Sequence, residues 1–287
     1  MTDTDVGRLL VSCRDQPGLV AAISSFLHAH NATIVQSDQD TTDPEGGHFV
    51  MRLVFRLPGL EEALDELTAE FGEEVADRYD ITFRLRIAAE RTRVAVFVSK
   101  LDHCLLDLLW RQRRGELGVD IVQVVSNHPD LADEVGRFGV PYAHIPVTRD
   151  TKDVAEKQQI ELLDGRVDLV VLARYMQILT GGFLDALGVP AINIHHSFLP
   201  AFVGAGPYAQ AKERGVKLVG ATAHYVTEDL DEGPIIEQAV ERVQHSHGVA
   251  DYIAVGRDVE AMVLARAVKW HAERRVLLNG HRTVVFQ

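Results

Sequence analysis

The spacing of apolar residues over the first 86 positions predicts four strands and two helices in the order β-α-β-β-α-β. Behind the turn Asp15–Gly18, apolar residues recur every three to four positions, which is the spacing of an amphipathic helix. Shorter runs rich in β-branched and aromatic residues, bounded by turn-forming residues, predict strands. The predicted elements are strands Arg8–Arg14, Asn31–Gln39, Phe49–Leu57 and Asp80–Ile87, a helix from Leu19, a helix Leu60–Phe71 and a turn Asp43–Gly47. This order is that of a ferredoxin-like fold.

From about residue 92 onward, apolar strands alternate with helices, which is typical of an α/β protein with a mostly parallel sheet and helices on both faces. The predicted strands are Arg93–Ser99, Val119–Ser126, Ala143–Val147, Val167–Ala173, the strand that contains Asn193, Lys217–Val226 and Ile235–Val243. The predicted helices are His103–Arg113, Asp130–Phe138, Val154–Leu163 and Val249–His271. With a linker near Ala88–Arg91, we expect two domains, residues 1–88 and residues 89–287.

Charge is distributed unevenly between the two predicted domains. The 287 residues carry a net charge of −13. Residues 1–90 contain seven arginines, no lysine and 17 acidic residues, a net charge of −10, whereas the remainder has a net charge of −3. This asymmetry supports two separate units. The acidic balance also argues against nucleic-acid binding, which needs a basic face.

Cysteine content and hydropathy favour a soluble, cytoplasmic protein. Only Cys13 and Cys104 occur, one in each predicted domain, so we expect a reducing compartment and no disulfide framework. The N-terminus does not have the pattern of a signal peptide, and no apolar run reaches 18 residues. The cysteines and histidines lack the spacing of a metal site, so we expect no bound metal.

The main candidate for chemistry is the end of the apolar strand that starts at Ala191. Asn193 and His195 are two residues apart there, so strand alternation directs both side chains to one face. Ligands of open α/β sheets bind at the carboxyl ends of strands. A second strand, Gly220–Val226, leads into an acidic turn closed by Gly-Pro, and this turn offers the carboxylate of Asp231. Amide, imidazole and carboxylate together form an acid/base set with a polarising donor.

Several common motifs are missing from the sequence. No G-x-G-x-x-G follows the predicted strand Arg93–Ser99, which argues against a dinucleotide cofactor. Ser197 lacks the flanking glycines of a G-x-S-x-G motif, which argues against a serine hydrolase. The segment Ser99–Cys104 also lacks the glycines that would let backbone N–H groups hold a phosphate.

Three ordered motifs occur in the second half of the chain. They are N-x-H-x-S-x-L-P-x-F-x-G at Asn193–Gly204, G-x-T-x-H-x-V at Gly220–Val226 and L-D-x-G-P-I at Leu230–Ile235. With them, residues 90–287 resemble the formyltransferase-fold family, whose members use 10-formyltetrahydrofolate. The resemblance implies that Asn193, His195 and Asp231 are catalytic.

The same resemblance implies further site residues. Thr222 and His224 share a strand face and are expected to lie near the site and to support Asp231. Two chain segments are expected to bind the pteridine ring of the folate. One contributes Arg174, Tyr175, Met176, Ile178 and Leu179, and the other contributes Glu228, Asp229 and Leu230. His196 is expected to point away from His195 and to have a mainly structural role.

The turn Asp15-Gln16-Pro17-Gly18, followed by Asn31-Ala32-Thr33-Ile34, resembles that of an ACT domain. This resemblance implies a possible amino-acid effector site at Asp15, Pro17 and Gly18, in a homo-oligomer. The alternative is that this domain binds no effector and serves only in oligomerisation.

Three features favour water as the formyl acceptor: the ACT-like front domain, His196 where the family commonly has proline, and the glycine-poor segment Ser99–Cys104. They resemble the branch of the family that hydrolyses 10-formyltetrahydrofolate to formate and tetrahydrofolate, for one-carbon and purine metabolism. We then expect Asn193 and His195 to stabilise the tetrahedral oxyanion and Asp231 to activate or position the water. No tightly bound cofactor is expected. Formyl transfer to an amine, or a catalytically inactive sensor of folate or amino acids, are the alternatives.

Overall fold

The computed structural model describes residues 3–43, 45–197 and 207–286, which form two compact units. The first unit contains the described residues up to Arg91, Glu273–Gly280 and the described residues from Val284 onward. The second contains the described residues of Thr92–Ala272 together with His281–Thr283. Pro44 of the predicted turn and positions 198–204 of the first motif lie outside the described residues. Within the described part of the chain, no helix combines the length and apolar character needed to cross a membrane.

The first unit has the predicted βαββαβ order. Its elements are β1 (Val6–Arg14), α1 (Leu19–Ala29), β2 (Thr33–Thr41), β3 (His48–Arg56), α2 (Leu60–Phe71), α3 (Asp77–Tyr79) and β4 (Thr82–Ile87). The strands form an antiparallel sheet in the order β2-β3-β1-β4. Alternate residues of β1 are buried, among them Leu9 and Val11, and they pack in one core with Ile23 and Leu27 of α1. The ferredoxin-like prediction is confirmed.

Two local differences from the predicted elements have simple causes. Strand β2 starts two residues later than predicted because Asn31 adopts a left-handed conformation (φ 56°) just after α1, a conformation that ends many helices. Helix α2 has the predicted bounds, but the chain stays helical through a π-helical turn, Gly72–Ala76, and α3. Val75 and Ala76 are buried, so this turn extends the apolar surface of the helix.

The C-terminal residues add a hairpin that the sequence did not predict. Its strands are β12 (Val276–Asn279) and β13 (Arg282–Val285). Leu277 and Phe286 pack against Val50 of β3. Arg52, also on β3 and only 2% exposed, donates two hydrogen bonds to the carbonyl of Glu273, at 3.3 and 3.2 Å. The predicted division assigned all of residues 89–287 to the second domain, whereas these contacts join Glu273–Gly280 to the first unit.

The second unit is built on a seven-stranded sheet. Its elements are β5 (Thr92–Val98), α4 (His103–Arg113), β6 (Val119–Ser126), α5 (Ala132–Gly136), β7 (Tyr142–His144), α6 (Lys152–Leu163), β8 (Leu169–Leu172), α7 (Gly181–Leu187), β9 (Ala191–His195), α8 (Pro207–Glu213), β10 (Leu218–Tyr225), β11 (Ile235–Arg242) and α9 (Val249–Ala272). The strand order is β11-β10-β9-β8-β5-β6-β7. The four strand pairs from β9 to β7 are parallel, whereas β10 pairs antiparallel with both β9 and β11. The mostly parallel sheet is therefore confirmed.

Helix α7 was missed by the sequence prediction. It begins with Gly181-Gly182, and glycine has a poor helix propensity, so the pattern did not indicate a helix. Thr180 starts the helix instead, because its hydroxyl accepts a hydrogen bond from the backbone N–H of Phe183 at 3.1 Å. The Phe183 side chain is buried and packs in one core with residues of β8, which holds this turn against the sheet.

We predict that Arg52→Ala lowers the free energy of unfolding by about 2–4 kcal/mol, because a buried charged donor and its hydrogen bonds are lost. The measurement is urea denaturation followed by circular dichroism. Arg84→Ala, at an exposed position of β4, is the matched control. Equal unfolding midpoints for the two variants would contradict the prediction.

Candidate active site

The site is built on the pairing of β9 with β10. Asn193 lies directly opposite His224, and His195 lies directly opposite Thr222. All four side chains therefore share one face, as the alternation within each strand predicted. His224 and Thr222 are buried, at 2% and 0% exposure. Thr222 donates a hydrogen bond to the carbonyl of Ser197 at 2.9 Å, which fixes the chain where it leaves β9.

Asp231 reaches this face from the turn after β10. One carboxylate oxygen, Oδ2, lies 3.1 Å from Nδ1 of His195. The other, Oδ1, lies 3.5 Å from Nε2 of His224 and accepts a hydrogen bond from Nδ2 of Asn193 at 3.4 Å. The structure therefore brings together the three residues predicted to be catalytic, with His224 beside them.

The turn that carries Asp231 requires an unusual backbone. Asp231 itself is left-handed (φ 59°). A Cβ on Gly233 would lie 1.7 Å from the carbonyl oxygen of Tyr225, so only glycine allows this close approach. The backbone N–H of Tyr225 donates to the carbonyl of Pro234 at 2.9 Å, which closes the loop. This geometry explains the Gly-Pro pair of the sequence motif.

The charge state of Asp231 follows from its neighbours. Hydrogen bonds from His195 and His224 hold the pKa of the carboxyl far below its usual range. Asp231 is therefore ionised at neutral pH and acts as an acceptor that fixes the imidazole of His195. The second histidine, His224, has its Nδ1 2.8 Å from the carbonyl of Tyr225, so its Nε2 faces the carboxylate and Asn193. Nδ2 of Asn193 lies 3.3 Å from Nε2 of His224 and 3.4 Å from Oδ1 of Asp231.

A cavity of about 250 Å³ adjoins these side chains. It lies between the loop that follows β8 and the turn that follows β10. Its lining includes the trio, His196, His224 and all eight residues predicted to contact folate: Arg174, Tyr175, Met176, Ile178, Leu179, Glu228, Asp229 and Leu230. Five further lining residues were not predicted as site residues: Leu172, Gln177, Ile194, Val226 and Thr227.

The cavity-lining residues differ in their exposure. Met176, Ile178 and Leu230 are 61%, 59% and 61% exposed, which is high for large apolar side chains that line a cavity. Tyr175 is instead buried, and its hydroxyl accepts a hydrogen bond from Gln159 at 3.1 Å. The first three are therefore available to an apolar ring, whereas Tyr175 anchors the loop.

Ser99 supports the loop after β8 and was not predicted as a site residue. Its buried hydroxyl accepts a hydrogen bond from the backbone N–H of Met176 at 2.9 Å and donates one to Asn127 at 2.8 Å. Its own N–H donates to the carbonyl of Arg174 at 3.3 Å. The sequence signal that could have indicated this role of Ser99 was a small polar residue at the end of the predicted strand Arg93–Ser99.

The expected orientation of His196 is wrong. His196 does not point away from His195; the two rings stack, with centroids 4.9 Å apart and planes inclined by 25°. The reason is that β9 ends at His195, so strand alternation does not extend to the next residue. Burial, followed by the positive charges of Arg174 and His195, lowers the pKa of His196 to about 4. His196 therefore stacks as a neutral ring.

In the first unit, the ACT-like turn is held by backbone and side-chain contacts. The N–H of Asp15 donates to the carbonyl of Gly47 at 2.7 Å, and the hydroxyl of Thr41 donates to the Asp15 carboxylate at 2.8 Å. Gly18 has φ 96° and immediately precedes α1, which accounts for the glycine. Pro17 lies between them and is exposed.

One group of possible metal ligands occurs among the described residues. Donor atoms of His103, Cys104 and Glu260 lie within 4.8 Å of one another. Arg174 places its Nε 3.4 Å from the same carboxylate, and burial raises the pKa of the Cys104 thiol well above its usual value. Because a metal needs a thiolate and no competing cation, this group suits an ion pair better than a metal ion.

Comparison with known families first defines the class. Residues 92–268 match the family model described as formyl transferase, and residues 7–72 match the model of the ACT domain. The second unit is thus a formyl transferase domain, and an ACT domain precedes it.

The full chain defines the family more narrowly. It is 61% identical to the formyltetrahydrofolate deformylase of Mycobacterium tuberculosis, over 98% of this chain and 91% of that protein. It is 52% identical to the deformylase of Bacillus subtilis, over 98% and 94%. A crystal structure of formyltetrahydrofolate deformylase from Burkholderia mallei is 49% identical, with a TM-score of 0.91 over 99% of this chain and 100% of that one. The chain belongs to the formyltetrahydrofolate deformylase family.

We predict that His196 titrates with a midpoint near pH 4 in ¹H–¹³C NMR spectra, with its resonance assigned by comparison with His196→Asn. Because the ordinary pKa is 6.5, the unfolded chain takes up this proton earlier than the folded protein does. His196 therefore lowers stability as the pH falls from about 6.5 toward 4. A midpoint above about 6 would contradict the buried, stacked position.

Proposed function

We propose that this protein hydrolyses 10-formyltetrahydrofolate to formate and tetrahydrofolate, with Asn193, His195 and Asp231 as its catalytic residues. The observation that carries the proposal is the 3.1 Å contact between the ionised Asp231 carboxylate and His195, beside Asn193 in one cavity. The curated relatives, matched over nearly the whole chain, are named for removal of the formyl group, which supports water as the acceptor.

The substrate would bind with its pteridine ring between the two chain segments that line the cavity. Met176 and Ile178 on one side and Leu230 on the other offer exposed apolar surface. Burying that surface against an aromatic ring stabilises binding by roughly 25 cal/mol per Å². Backbone groups of the same segments then supply the polar contacts that orient the ring.

The formyl group is an amide-type acyl group, so attack by water creates a tetrahedral oxyanion. An N–H of Asn193 and the imidazole of His195 are the donors for this oxyanion. A protonated His195 is the stronger donor, and the Asp231 carboxylate at Nδ1 stabilises its positive charge. The tetrahedral intermediate then collapses, the bond from the formyl carbon to N10 breaks, and formate leaves.

N10 must gain a proton as that bond breaks. Protonated His195 gives its proton to N10 and then takes up the proton released by the water, and the low pKa of Asp231 favours the imidazole as the proton carrier. Asp231 positions the water and balances the charge on His195. His224, hydrogen-bonded to the backbone, and Thr222 hold this arrangement in place.

The ACT domain extends the proposal to regulation. An amino-acid effector would bind at the turn of Asp15, Pro17 and Gly18, in a homo-oligomer located in the cytoplasm. The match to the ACT family supports the effector site and the homo-oligomer. The two free, buried cysteines support the cytoplasm, which is a reducing compartment. No metal or tightly bound cofactor enters the proposed reaction.

The function is tested by measuring formate and tetrahydrofolate released from 10-formyltetrahydrofolate by the purified protein. We predict equal amounts of the two products without any added amine, because water is the acceptor. A turnover that requires a primary amine would favour the transferase alternative. Absence of turnover would favour the inactive sensor.

We predict that Asp231→Asn lowers kcat by about 10²–10⁴, because the amide does not stabilise a positive imidazole or hold its tautomer. The kcat is measured from the same formate assay, with Asp133→Asn on an exposed face of α5 as the control. If Asp231→Asn kept the wild-type kcat, the proposed role of Asp231 would be wrong.

A further inference from the structure

The strand order of the large sheet defines a crevice between β5 and β8. From β5 the chain adds β6 and β7 on one side and then β8 and β9 on the other. Open α/β sheets bind ligands at this reversal, outside the carboxyl ends of the strands. In this protein, two residues follow the strands that border the crevice. His103 is the first residue of α4, the helix after β5, and Arg174 follows β8.

The carboxylate of Glu260 fills this crevice. It comes from the long helix α9, and its side chain is only 1% exposed. One oxygen lies 2.8 Å from Nε2 of His103 and 3.4 Å from Nε of Arg174. The other accepts a hydrogen bond from the hydroxyl of Tyr208 at 2.6 Å. A group from the chain itself thus occupies the place where the fold usually holds a ligand.

The cluster of His103, Arg174, Tyr208 and Glu260 holds a buried negative charge. Burial alone would raise the pKa of Glu260, but the hydrogen bond from His103, the charge of Arg174 and the hydrogen bond from Tyr208 outweigh it and lower the pKa. Burial and the same carboxylate raise the pKa of Tyr208, so its hydroxyl remains a donor. A buried ion pair is a weak source of stability, so its presence calls for another explanation.

Two local features of the cluster also reduce stability. A Cβ on Gly256, inside α9, would lie 2.1 Å from the hydroxyl oxygen of Tyr208, so glycine is needed there for the hydroxyl to reach Glu260. Glycine inside a helix is less favourable than alanine. Arg174 has φ 63°, a left-handed conformation that is strained for a residue other than glycine. Such departures from local preference are typical of functional sites.

The cluster adjoins the proposed catalytic residues through Arg174. Arg174 and His196 both line the cavity, and His196 is stacked on His195. In the sheet, Asp231 follows β10 and Arg174 follows β8, so they lie on opposite sides of β9. His195 is therefore placed between its Asp231 partner and the filled crevice.

We propose that the Glu260 cluster determines the acceptor specificity of the site: it fills the crevice in which an acceptor larger than water would bind, and thereby restricts the reaction to hydrolysis. This inference rests on the proposed function. Water is small and is unaffected by this steric barrier.

The reaction that the cluster would prevent is formyl transfer to an amine. The amine nitrogen would attack the formyl carbon, the bond from that carbon to N10 would break, and N10 would take the proton lost by the amine. The products would be an N-formyl amine and tetrahydrofolate, with no other reactant. The catalytic trio could support either acceptor, so the outcome depends on which nucleophile reaches the carbon.

The test measures N-formyl amine and formate in the same reaction, with glycinamide as the amine and mass spectrometry as the detector. Arg174→Gly suits the left-handed backbone and removes the side chain from the crevice. Arg174→Gly/Glu260→Gln also removes the carboxylate charge that the first change leaves unpaired. Arg274→Gly is the matched control, because Arg274 is also left-handed (φ 56°) and does not line the cavity.

We expect wild-type protein and Arg274→Gly to form only formate, and the two Arg174 variants to raise the ratio of N-formyl amine to formate by about tenfold or more. Folded Arg174 variants that form no N-formyl amine would overturn the inference, and formate released by them would leave hydrolysis intact. If the double variant does not fold, Arg174→Gly alone decides. Wild-type protein that releases no formate would instead contradict the proposed function.

Discussion

The contact between Asp231 and His195 is the interaction on which the rest of the site depends. It requires β9 and β10 to be neighbours, because Asn193 and His195 then share a face with His224, and the turn after β10 bends back over this face to place its carboxylate beside His195. Gly233 permits that turn, and His224 and Asn193 hold the second carboxylate oxygen. Fold and chemistry are therefore linked through a single carboxylate.

Asp231 and Glu260, both acids of the second unit, have different surroundings, and this difference separates their roles. Asp231 is about a quarter exposed, lines the cavity and contacts imidazole rings. Glu260 is almost fully enclosed and contacts a guanidinium, an imidazole and a phenol. Both are held ionised, but only the first is within reach of a bound substrate. The second acts through the side chains that it fixes.

Much of this site could be predicted from the sequence because it depends on local rules. Strand alternation places Asn193 and His195 on one face, and a Gly-Pro turn predicts the sharp bend near Asp231. His196 could not be placed this way, since the strand ends one residue earlier. Glu260 is separated from His103 by 157 residues, and no periodic pattern joins positions on α9 and α4.

The same limit explains the differences in the fold. The βαββαβ order and the alternating strands and helices follow from periodicity, which each segment carries in its own sequence. Strand β12 of the C-terminal hairpin belongs to the first unit because the buried guanidinium of Arg52 needs acceptors, and it finds the Glu273 carbonyl 221 residues away. Helix α7 was hidden by its two initial glycines, although Thr180 caps it well.

The left-handed backbone of Arg174 has a consequence for the history of this protein. A glycine at this position would relieve backbone strain, but it would leave the buried carboxylate of Glu260 without its guanidinium. Neither substitution alone removes both the strain and the buried charge. Positions 174 and 260 are therefore expected to change together in any lineage that gives up the pair.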